Sequence, residues 1–285
     1  MKLPTIVHLS AIAGLLGNVV LAGCTTPRVE PPAYEVYAVR YGTLPGAPTK
    51  VLVPDADASR HSDLAMAVWL LRAPGQRNVL VDAGFYRDEI MQVYKPQDYR
   101  KPSQAIDALG LAPDDITDII ISHVHSDHLD GVDLFPKARV WIQRAEYEYY
   151  VGPRGEALHD DISPVDAVML ADLRAKGRVE LVDGDSREII PGITVYTGGR
   201  HTFASEYAGV RTRIGTVIIA SDNVYLYENL DRHVPIGVTF DAKSNIAAQD
   251  RMLDLAAARR YVIPGHDMAV FERFPKAGNS VVRID

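Results

Sequence analysis

The feature that most limits what this chain can fold into is a run of metal-binding residue types near its middle. It reads Ser-His-Val-His-Ser-Asp-His-Leu-Asp-Gly and directly follows an apolar stretch, residues 116–121, that is typical of a buried strand. Residues two apart on an extended segment share one side, so His123 and His125 can face the same site. Asp127 and His128 would diverge on a strand, which predicts a turn into a helix there. The turn would present two separate ligand pairs, and these suit two metal ions better than one.

Three further candidate ligands follow downstream: His201, Asp222 and His266. His201 stands after two glycines, which allow backbone segments to approach closely. Asp222 comes just after a short apolar strand pattern, where a buried carboxylate is unfavourable unless it is paired or bound to a metal. His266 follows Ile-Pro-Gly after another short strand pattern. Each residue alone is more typical of a loop, but their order after the first motif favours one shared centre. Neutral imidazole and carboxylate are ligands that zinc takes.

Composition and charge narrow the other function classes. The chain has 285 residues, 30 basic and 37 acidic, with a formal net charge of −7. This balance argues against a nucleic-acid surface, because such surfaces carry a basic stripe. The single cysteine, Cys24, excludes an internal disulfide bond and a cysteine-based zinc cluster. Candidate metal ligands are therefore sought first among the nine histidines.

Residues 1–23 have the pattern of a bacterial lipoprotein signal peptide. A lysine near the start is followed by an apolar run shorter than the roughly 20 residues that a membrane-spanning helix needs. The run ends Leu-Ala-Gly-Cys, which resembles a lipobox and predicts lipidation of Cys24, export, and anchoring in the periplasm or at the cell surface. The alternative is a plain signal peptide with an incidental cysteine. The proline-rich residues 24–33 are expected to form an extended linker.

One domain of alternating strands and helices is expected over residues 34–285. Strand patterns cover residues 64–71, 79–81, 116–121, 138–142, 179–182, 188–190, 193–196, 216–220 and 261–263. Helix patterns cover residues 103–109, with Ser103 as N-cap and Gly110 as stop, a segment through Tyr149, residues 165–176, stopped by Gly177, and residues 246–260. This mixture predicts an α/β or α+β fold built in layers.

Taken in order, the sequence Val-Asp-Ala-Gly at residues 81–84, the histidine motif and the three downstream ligands resemble the metallo-β-lactamase-fold hydrolases. The resemblance covers essentially the whole domain and implies a four-layer αββα sandwich with the site at the edge between two sheets. It implies that one metal is held by His123, His125 and His201, the other by Asp127, His128 and His266, and that Asp222 bridges the two. An aspartate at the bridging place separates the chain from most true β-lactamases.

Within that superfamily the sequence is most similar to the N-acyl homoserine lactonases. Tyr225 stands three residues after Asp222, where those lactonases keep an active-site phenol. Residues 198–205, Gly-Gly-Arg-His-Thr-Phe-Ala-Ser, look like one branch of the family. They depart from the commoner form, in which a longer glycine-rich loop surrounds the ligand histidine. The resemblance therefore supports the metal-ligand role of His201 but does not extend to the acyl-chain pocket.

The resemblance also implies a reaction. A hydroxide bridging two divalent metal ions, with zinc expected, would attack the carbonyl of an N-acyl homoserine lactone and open its ring. Tyr225 would hydrogen-bond the developing oxyanion, although a rim aromatic is the alternative. Asp127 would carry the water proton to the departing ring oxygen. Asp82 and Asp130 could each accept the second N–H of a ligand histidine, or instead cap a helix or turn.

Other interpretations share the metals or dispense with catalysis. An esterase, a phosphotriesterase or a thioester hydrolase of the same fold would change only the substrate. A nuclease would normally add a basic surface, which the net charge does not supply. A non-catalytic metal-binding lipoprotein is the alternative from another class, and a homodimer is left open. An aromatic set is expected either to line a pocket or to form a helix-packing face: Tyr147, Tyr149, Tyr150, Phe203 and Tyr207.

Overall fold

A long antiparallel pair, β1 (Glu35–Pro48) and β2 (His61–Ala73), forms the centre of the larger of two sheets. The structure, a computed structural model, describes Met1 and residues 31–285 apart from 74 and 76. Within that part of the chain the other strands are β3 (Arg77–Val81), β4 (Asp118–Ile120), β5 (Arg139–Gln143), β6 (Val179–Val182), β7 (Arg187–Ile190), β8 (Ile193–Thr197), β9 (Glu206–Thr212), β10 (Gly215–Ser221), β11 (Val262–Pro264), β12 (Lys276–Gly278) and β13 (Val281–Arg283).

The larger sheet has the order β12-β13-β1-β2-β3-β4-β5-β6, and the smaller has the order β11-β10-β9-β8-β7. Strands β3 to β6 run parallel to one another, as do β10 and β11. The α-helices are α1 (Thr49–Leu52), α2 (Asp88–Tyr94), α3 (Pro102–Ala105), α4 (Ser126–Leu129), α5 (Arg144–Tyr150), α6 (Pro164–Ala175), α7 (Tyr227–Arg232), α8 (Ala242–Leu255) and α9 (Val270–Arg273). Short 3₁₀ turns cover Ile106–Leu109, Pro113–Asp115, Asp130–Leu134 and Arg259–Tyr261.

Strand β2 shows why the molecule is layered, because its side chains enter two different cores in alternation. Met66, Val68 and Leu70 pack with residues of α5 and α6 on one face of the larger sheet. Trp69 and Leu71 pack on the other face with residues of the smaller sheet, α7 and α8. A strand that is buried on both faces reads as an unbroken apolar run, as this one does. The four-layer αββα sandwich predicted from the sequence is confirmed.

Several boundaries differ from those predicted, each for a local reason. Ser103 is not an N-cap: α3 begins at Pro102 after Lys101, because proline suits the first helical turn. The predicted helix 246–260 is wrong at both ends. Asp241 caps α8 by accepting hydrogen bonds from the amides of Lys243 and Ser244, and the helix ends at Leu255. The stops predicted at Gly110 and Gly177 are confirmed, since both glycines adopt a positive φ.

Strands β1, β9, β12 and β13 have no counterpart in the sequence prediction. The long β1 contains two irregularities of register, next to Gly42 and between Leu44 and Ala47, and these break the alternation on which a strand prediction depends. The predictions for the signal peptide and for Cys24 lie outside the described residues. No helix in the described part of the chain is long and apolar enough to cross a membrane.

Candidate metal centre

The histidine motif lies directly beyond the carboxyl end of β4, where the chain changes from extended to helical. His125 has extended backbone angles and precedes α4, so His123 and His125 lie on an extended segment while Asp127 and His128 lie on the helix. The turn predicted from the spacing of the four residues is therefore present. It separates the motif into two pairs, as expected.

Three imidazole nitrogens meet at the first half of the centre. His123 Nε2 and His201 Nε2 each lie 3.0 Å from His125 Nδ1. With a carboxylate oxygen of Asp222, their ligand atoms lie within 4.8 Å of one another. The glycines before His201 are needed there, because a Cβ on Gly199 would lie 2.5 Å from the Cα of Asn245. The loop therefore reaches the centre only with that glycine in place.

The second half of the centre joins the helical pair to the residue that follows β11. Ligand atoms of Asp127, His128 and His266 lie within 4.8 Å of one another. Asp127 Oδ2 is 3.5 Å from His128 Nε2 and 3.6 Å from His266 Nε2. Asp127 and His128 come from the larger sheet and His266 from the smaller, so this half spans the edge between them.

Asp222, just after β10, lies between the two halves and faces each with a different oxygen. Its Oδ2 is 3.4 Å from His201 Nε2 and 3.8 Å from His123 Nε2. Its Oδ1 is 3.0 Å from His266 Nε2 and 3.3 Å from His128 Nε2. The structure thus brings all seven sequence-predicted ligands together, in the two sets that the resemblance implied.

In most of the histidines, the ring nitrogen that points away from the centre has a hydrogen-bond partner. His201 Nδ1 donates to the carbonyl of Val238 at 2.9 Å, and His266 Nδ1 donates to the carbonyl of Ala65 at 3.1 Å. His128 Nδ1 lies 2.8 Å from Asp82 Oδ2. These contacts place the ring hydrogen on Nδ1 and leave the Nε2 lone pair turned inward, as metal-binding histidines require.

Burial makes this arrangement unfavourable without a cation. Asp222 Oδ1 and His128 Nε2 are both buried and have no hydrogen-bond partner among the described residues. Burial lowers the pKa of His201 to about 4, so this ring offers a lone pair rather than a charge. Without a metal ion the surrounding carboxylates keep His128 protonated, and this charge outweighs burial and lowers the pKa of Asp127 to about 2. A bound metal would take the place of that proton on His128 Nε2. Inward lone pairs and buried carboxylates are the donor set that divalent cations bind, and the residues fit two such ions.

Glu146 of α5 connects the two loops that carry the first half. Its side chain accepts hydrogen bonds from the Val124 amide at 3.2 Å, the Thr202 hydroxyl at 2.5 Å and the Ala204 amide at 2.6 Å. Burial raises the Glu146 pKa to about 7. This role was not visible in the sequence, because a glutamate in a helix between other charged residues gives no sign of being buried.

A cavity of about 300 Å³ opens beside His125. It is lined by Ile90, Val93, Tyr94, His125, Ser126, Asp160 and Asp161. The Tyr94 hydroxyl lies 3.4 Å from Asp127 Oδ1, and Asp161 Oδ1 lies 4.0 Å from His125 Nε2. Sequence reasoning missed Tyr94 and Asp161, since neither belongs to a motif and both come from segments distant from the ligands.

The Tyr225 side chain is buried next to the first half of the centre. Its hydroxyl lies 3.4 Å from His201 Nδ1, and its ring meets the His201 ring edge-on at 5.5 Å. Burial, followed by the charges of Asp222 and Asp127, raises the Tyr225 pKa well above its usual value. The phenol therefore keeps its proton and can donate it in a hydrogen bond.

The supporting residues proposed from sequence divide between two roles. Asp82 accepts from His128, as expected for a residue that orients a ligand. Asp130 contacts no histidine among the described residues: it accepts from the amides of Tyr86 and Arg87 and pairs with the Arg87 guanidinium. Its turn needed a partner for those amides, and Asp130 supplies it.

The aromatic set also divides. Tyr149 stacks between Phe203 and His159, with ring centroids 3.9 Å away on each side. Tyr207 is not part of this stack, because it packs on Tyr196 in the other core at 5.2 Å. The stack ties the loop of His201 to α5.

Comparison with known proteins agrees with this geometry. A family model described as the metallo-beta-lactamase superfamily matches residues 62–266. The N-acyl homoserine lactonase AiiA of Bacillus thuringiensis subsp. kurstaki is 30% identical over 163 residues, 56% of this chain and 59% of that protein. The N-acyl homoserine lactonase AiiB of Agrobacterium fabrum is 32% identical over 127 residues, 42% of this chain and 45% of that protein. The matched segments thus cover less than two thirds of these relatives.

Solved structures extend the likeness of fold further along the chain. A structure titled as an N-acyl homoserine lactone hydrolase, with the product N-hexanoyl-L-homoserine bound at its catalytic metal centre, has a TM-score of 0.70 at 20% identity. That match covers 86% of this chain and 97% of the other. AidC, titled as a dizinc quorum-quenching lactonase, has a TM-score of 0.64 at 17% identity, covering 84% and 90%. At these identities the likeness establishes the fold.

Proposed function

The chain belongs to the metallo-beta-lactamase superfamily, and on that premise we propose that it is a dinuclear metal-dependent hydrolase that opens the lactone ring of N-acyl homoserine lactones. The observation that carries the proposal is the position of Asp222, whose two oxygens face the two halves of the centre separately. The lactonase names of the curated relatives supply the substrate class.

We propose that His123, His125 and His201 would hold one metal ion, that Asp127, His128 and His266 would hold the other, and that Asp222 would serve both. Zinc suits this mixture of imidazole and carboxylate donors, although iron, cobalt and manganese accept them as well. Two such ions would supply Lewis acidity and lower the pKa of a water that they share.

The residues around the ions have distinct tasks in this proposal. Tyr225 keeps its proton, so its hydroxyl can donate to the oxygen on which negative charge develops. Asp127 turns Oδ2 toward His128 and His266, while its Oδ1 faces Tyr94 at the cavity. Asp127 Oδ1 can therefore take the proton released in the attack and pass it to the departing ring oxygen. The cavity beside His125 would receive the substrate.

The test is acid release by the metal-loaded protein across N-acyl homoserine lactones of increasing chain length. A cephalosporin, an aryl ester and a phosphotriester run in parallel. We expect about two equivalents of metal per chain and the highest kcat/KM on a lactone. Asp222→Asn should abolish turnover, whereas Asp172→Asn, an exposed carboxylate on α6, should leave it unchanged. A protein that binds two metals and prefers the aryl ester or the phosphotriester would refute the lactonase assignment.

We further propose that Cys24 is lipidated and anchors the exported protein to a membrane. The support is the sequence Leu-Ala-Gly-Cys after an apolar run. Labelled fatty acid should enter the wild-type protein in bacteria and should not enter Cys24→Ser, which should leave the membrane fraction. An unlabelled wild-type protein would indicate a plain signal peptide instead.

A further inference from the structure

A continuous chain of hydrogen bonds joins a histidine of the first half of the centre to a histidine of the second. His123 Nδ1 lies 2.9 Å from Ser122 Oγ, which lies 2.8 Å from Ser221 Oγ. Ser221 Oγ lies 2.9 Å from Asp82 Oδ2, the oxygen that is 2.8 Å from His128 Nδ1. No other pair of predicted ligands is joined in this way by side chains in the described part of the structure.

The chain of hydrogen bonds crosses from one sheet to the other in a fully buried environment. Asp82 directly follows β3, Ser122 lies two residues beyond β4, and Ser221 is the last residue of β10 in the smaller sheet. Their exposed fractions are 0%, 2% and 0%. Water therefore does not compete for these contacts, and each hydroxyl must find its partner within the group.

The acceptor at the end fixes the direction of every bond. A carboxylate oxygen accepts, so Ser221 donates to Asp82. The single proton of Ser221 is then used, and Ser122 must donate to Ser221. With its own proton used, Ser122 can only accept from His123, which places the ring hydrogen of His123 on Nδ1. The Nε2 lone pair of His123 is thereby turned toward the first half of the centre.

We infer that Ser221 is a positioning residue through which one carboxylate, Asp82, orients a ligand histidine in each half of the metal centre. The inference rests on the metal centre of the proposed function. His128 reaches Asp82 directly, whereas His123 reaches it only through Ser122 and Ser221. Residues that orient ligand histidines change metal affinity by roughly 10- to 100-fold when removed.

The backbone of Ser221 supports a specific role for its side chain. The residue has a φ of +48°, in the left-handed region that glycine, asparagine and aspartate adopt more readily than serine. The serine directs Oγ to 2.8 Å from Ser122 and 3.4 Å from His128 Nδ1.

The test uses Ser122→Ala, Ser221→Ala, the double variant and a control, Thr212→Ala. Thr212 is also buried and donates to the carbonyl of Gly215 at 2.7 Å, at the end of β9 that lies away from the metal centre. Zinc affinities are measured by competition with a chelator of known affinity. The ring N–H protons of the zinc-loaded proteins are observed by ¹⁵N-edited NMR after histidine labelling.

Each single variant should lower the affinity for the more affected zinc ion by roughly tenfold or more. It should also shift or remove the His123 Nδ1–H resonance. The double variant should bind zinc no more weakly than either single variant, because either substitution alone already interrupts the series of hydrogen bonds. Thr212→Ala should match the wild type, and Asp82→Asn should weaken the binding of both zinc ions.

Three results would overturn the inference. The first is a Ser221→Ala protein with wild-type zinc affinities and an unchanged His123 resonance. The second is losses that multiply in the double variant, as independent packing defects would. If Ser221→Ala does not fold, Ser122→Ala decides alone, and wild-type behaviour of that variant is the third. A wild-type protein that binds two zinc ions but does not hydrolyse lactones would refute the proposed function and leave this inference standing.

Discussion

At the scale of single residues, the effect of a buried polar group depends on what that group faces. Tyr225 and Tyr227 make this clear, since both are buried tyrosines at nearly adjacent positions. Tyr225 faces His201, whereas the Tyr227 hydroxyl lies in the core of the smaller sheet and has no hydrogen-bond partner in the described part of the chain. A hydroxyl has a catalytic effect only where a developing charge can use it.

Tyr225→Phe should therefore lower kcat on the lactone by roughly 100-fold, the effect typical of removing one oxyanion donor. KM should change little, because the hydrogen bond forms mainly in the transition state. Steady-state kinetics on the zinc-loaded protein measures both constants, with Tyr227→Phe as the matched control. Equal kcat values for Tyr225→Phe and the wild type would remove the phenol from the mechanism.

Glu206, on β9, is a buried carboxyl whose titration should appear in stability. Burial raises its pKa to about 8, and the hydrogen bond from Gln143 Nε2 at 2.6 Å only partly opposes this. The unfolded chain releases this proton near pH 4.5 while the folded protein keeps it up to about pH 8. Stability must then fall as pH rises through this interval and level off above it.

Glu206→Gln removes that titration. As pH rises from 5 to 8, the free energy of unfolding of the variant should therefore increase relative to that of the wild type. Urea unfolding of both proteins at pH 5, 6, 7 and 8 gives the difference in the free energy of unfolding. Subtracting the two proteins cancels the titrating groups that do not interact with Glu206. A difference that stays flat over this range would show that Glu206 is ionised in the folded state.

At the scale of elements, the sequence predicted the strands that are continuous apolar runs and the helices that end at a glycine. The apolar run of β2 predicted a buried strand, and Gly110 and Gly177 predicted helix ends. Strand β1 escaped because its bulges interrupt alternation. The start of α8 escaped because the capping Asp241 lies outside the stretch whose periodicity was read. Local patterns report local energies, and these boundaries depend on contacts made elsewhere.

The end of β11 shows how closely two elements must approach at the centre. A Cβ on Gly265 would lie 2.6 Å from Asp222 Oδ1 and 2.9 Å from the carbonyl group of Ser221. Gly265→Ala must therefore displace the carboxylate that faces both halves. We expect zinc affinity to fall by roughly tenfold or more, with a loss of stability of about 1–3 kcal/mol in the metal-free protein.

Competition with a chelator and urea unfolding measure the two effects. Gly42→Ala is the control, since a Cβ there has its nearest neighbour at 3.4 Å, an ordinary contact. Zinc affinity in Gly265→Ala equal to that in Gly42→Ala would mean that Asp222 has room to move without consequence.

At the scale of the whole molecule, the fold and the ligands could be predicted for the same reason. All the candidate ligands follow strand ends: His123 to His128, His201, Asp222 and His266. Residue types that bind metal can be recognised in a sequence when they come just after an apolar strand pattern. The cavity could not be predicted, because Tyr94 comes from α2 and Asp161 from the segment before α6. Such residues meet only when the sandwich closes, and no spacing along the chain encodes their approach.

Because of this topology, a metal bound at the centre would link the two sheets of the sandwich. The larger sheet supplies His123, His125, Asp127 and His128, and the smaller supplies His201, Asp222 and His266. The unfolded chain keeps no such arrangement, so metal binds mainly to the folded state and stabilises it. Free zinc at 100 times the dissociation constant of one site would add about 2.7 kcal/mol for that site.

Removal of metal should therefore lower Tm by roughly 5–10 °C for each site that is emptied, given about 2–4 °C per kcal/mol for a domain of this size. Calorimetry on chelator-treated and zinc-reloaded protein at one scan rate measures the shift. Asp222→Asn should show a smaller shift, because an amide keeps only one of the two oxygens that face the two halves and carries no charge. If chelation and reloading leave Tm unchanged in the wild type, the two sheets are not joined by metal, since ions held between them must oppose their separation.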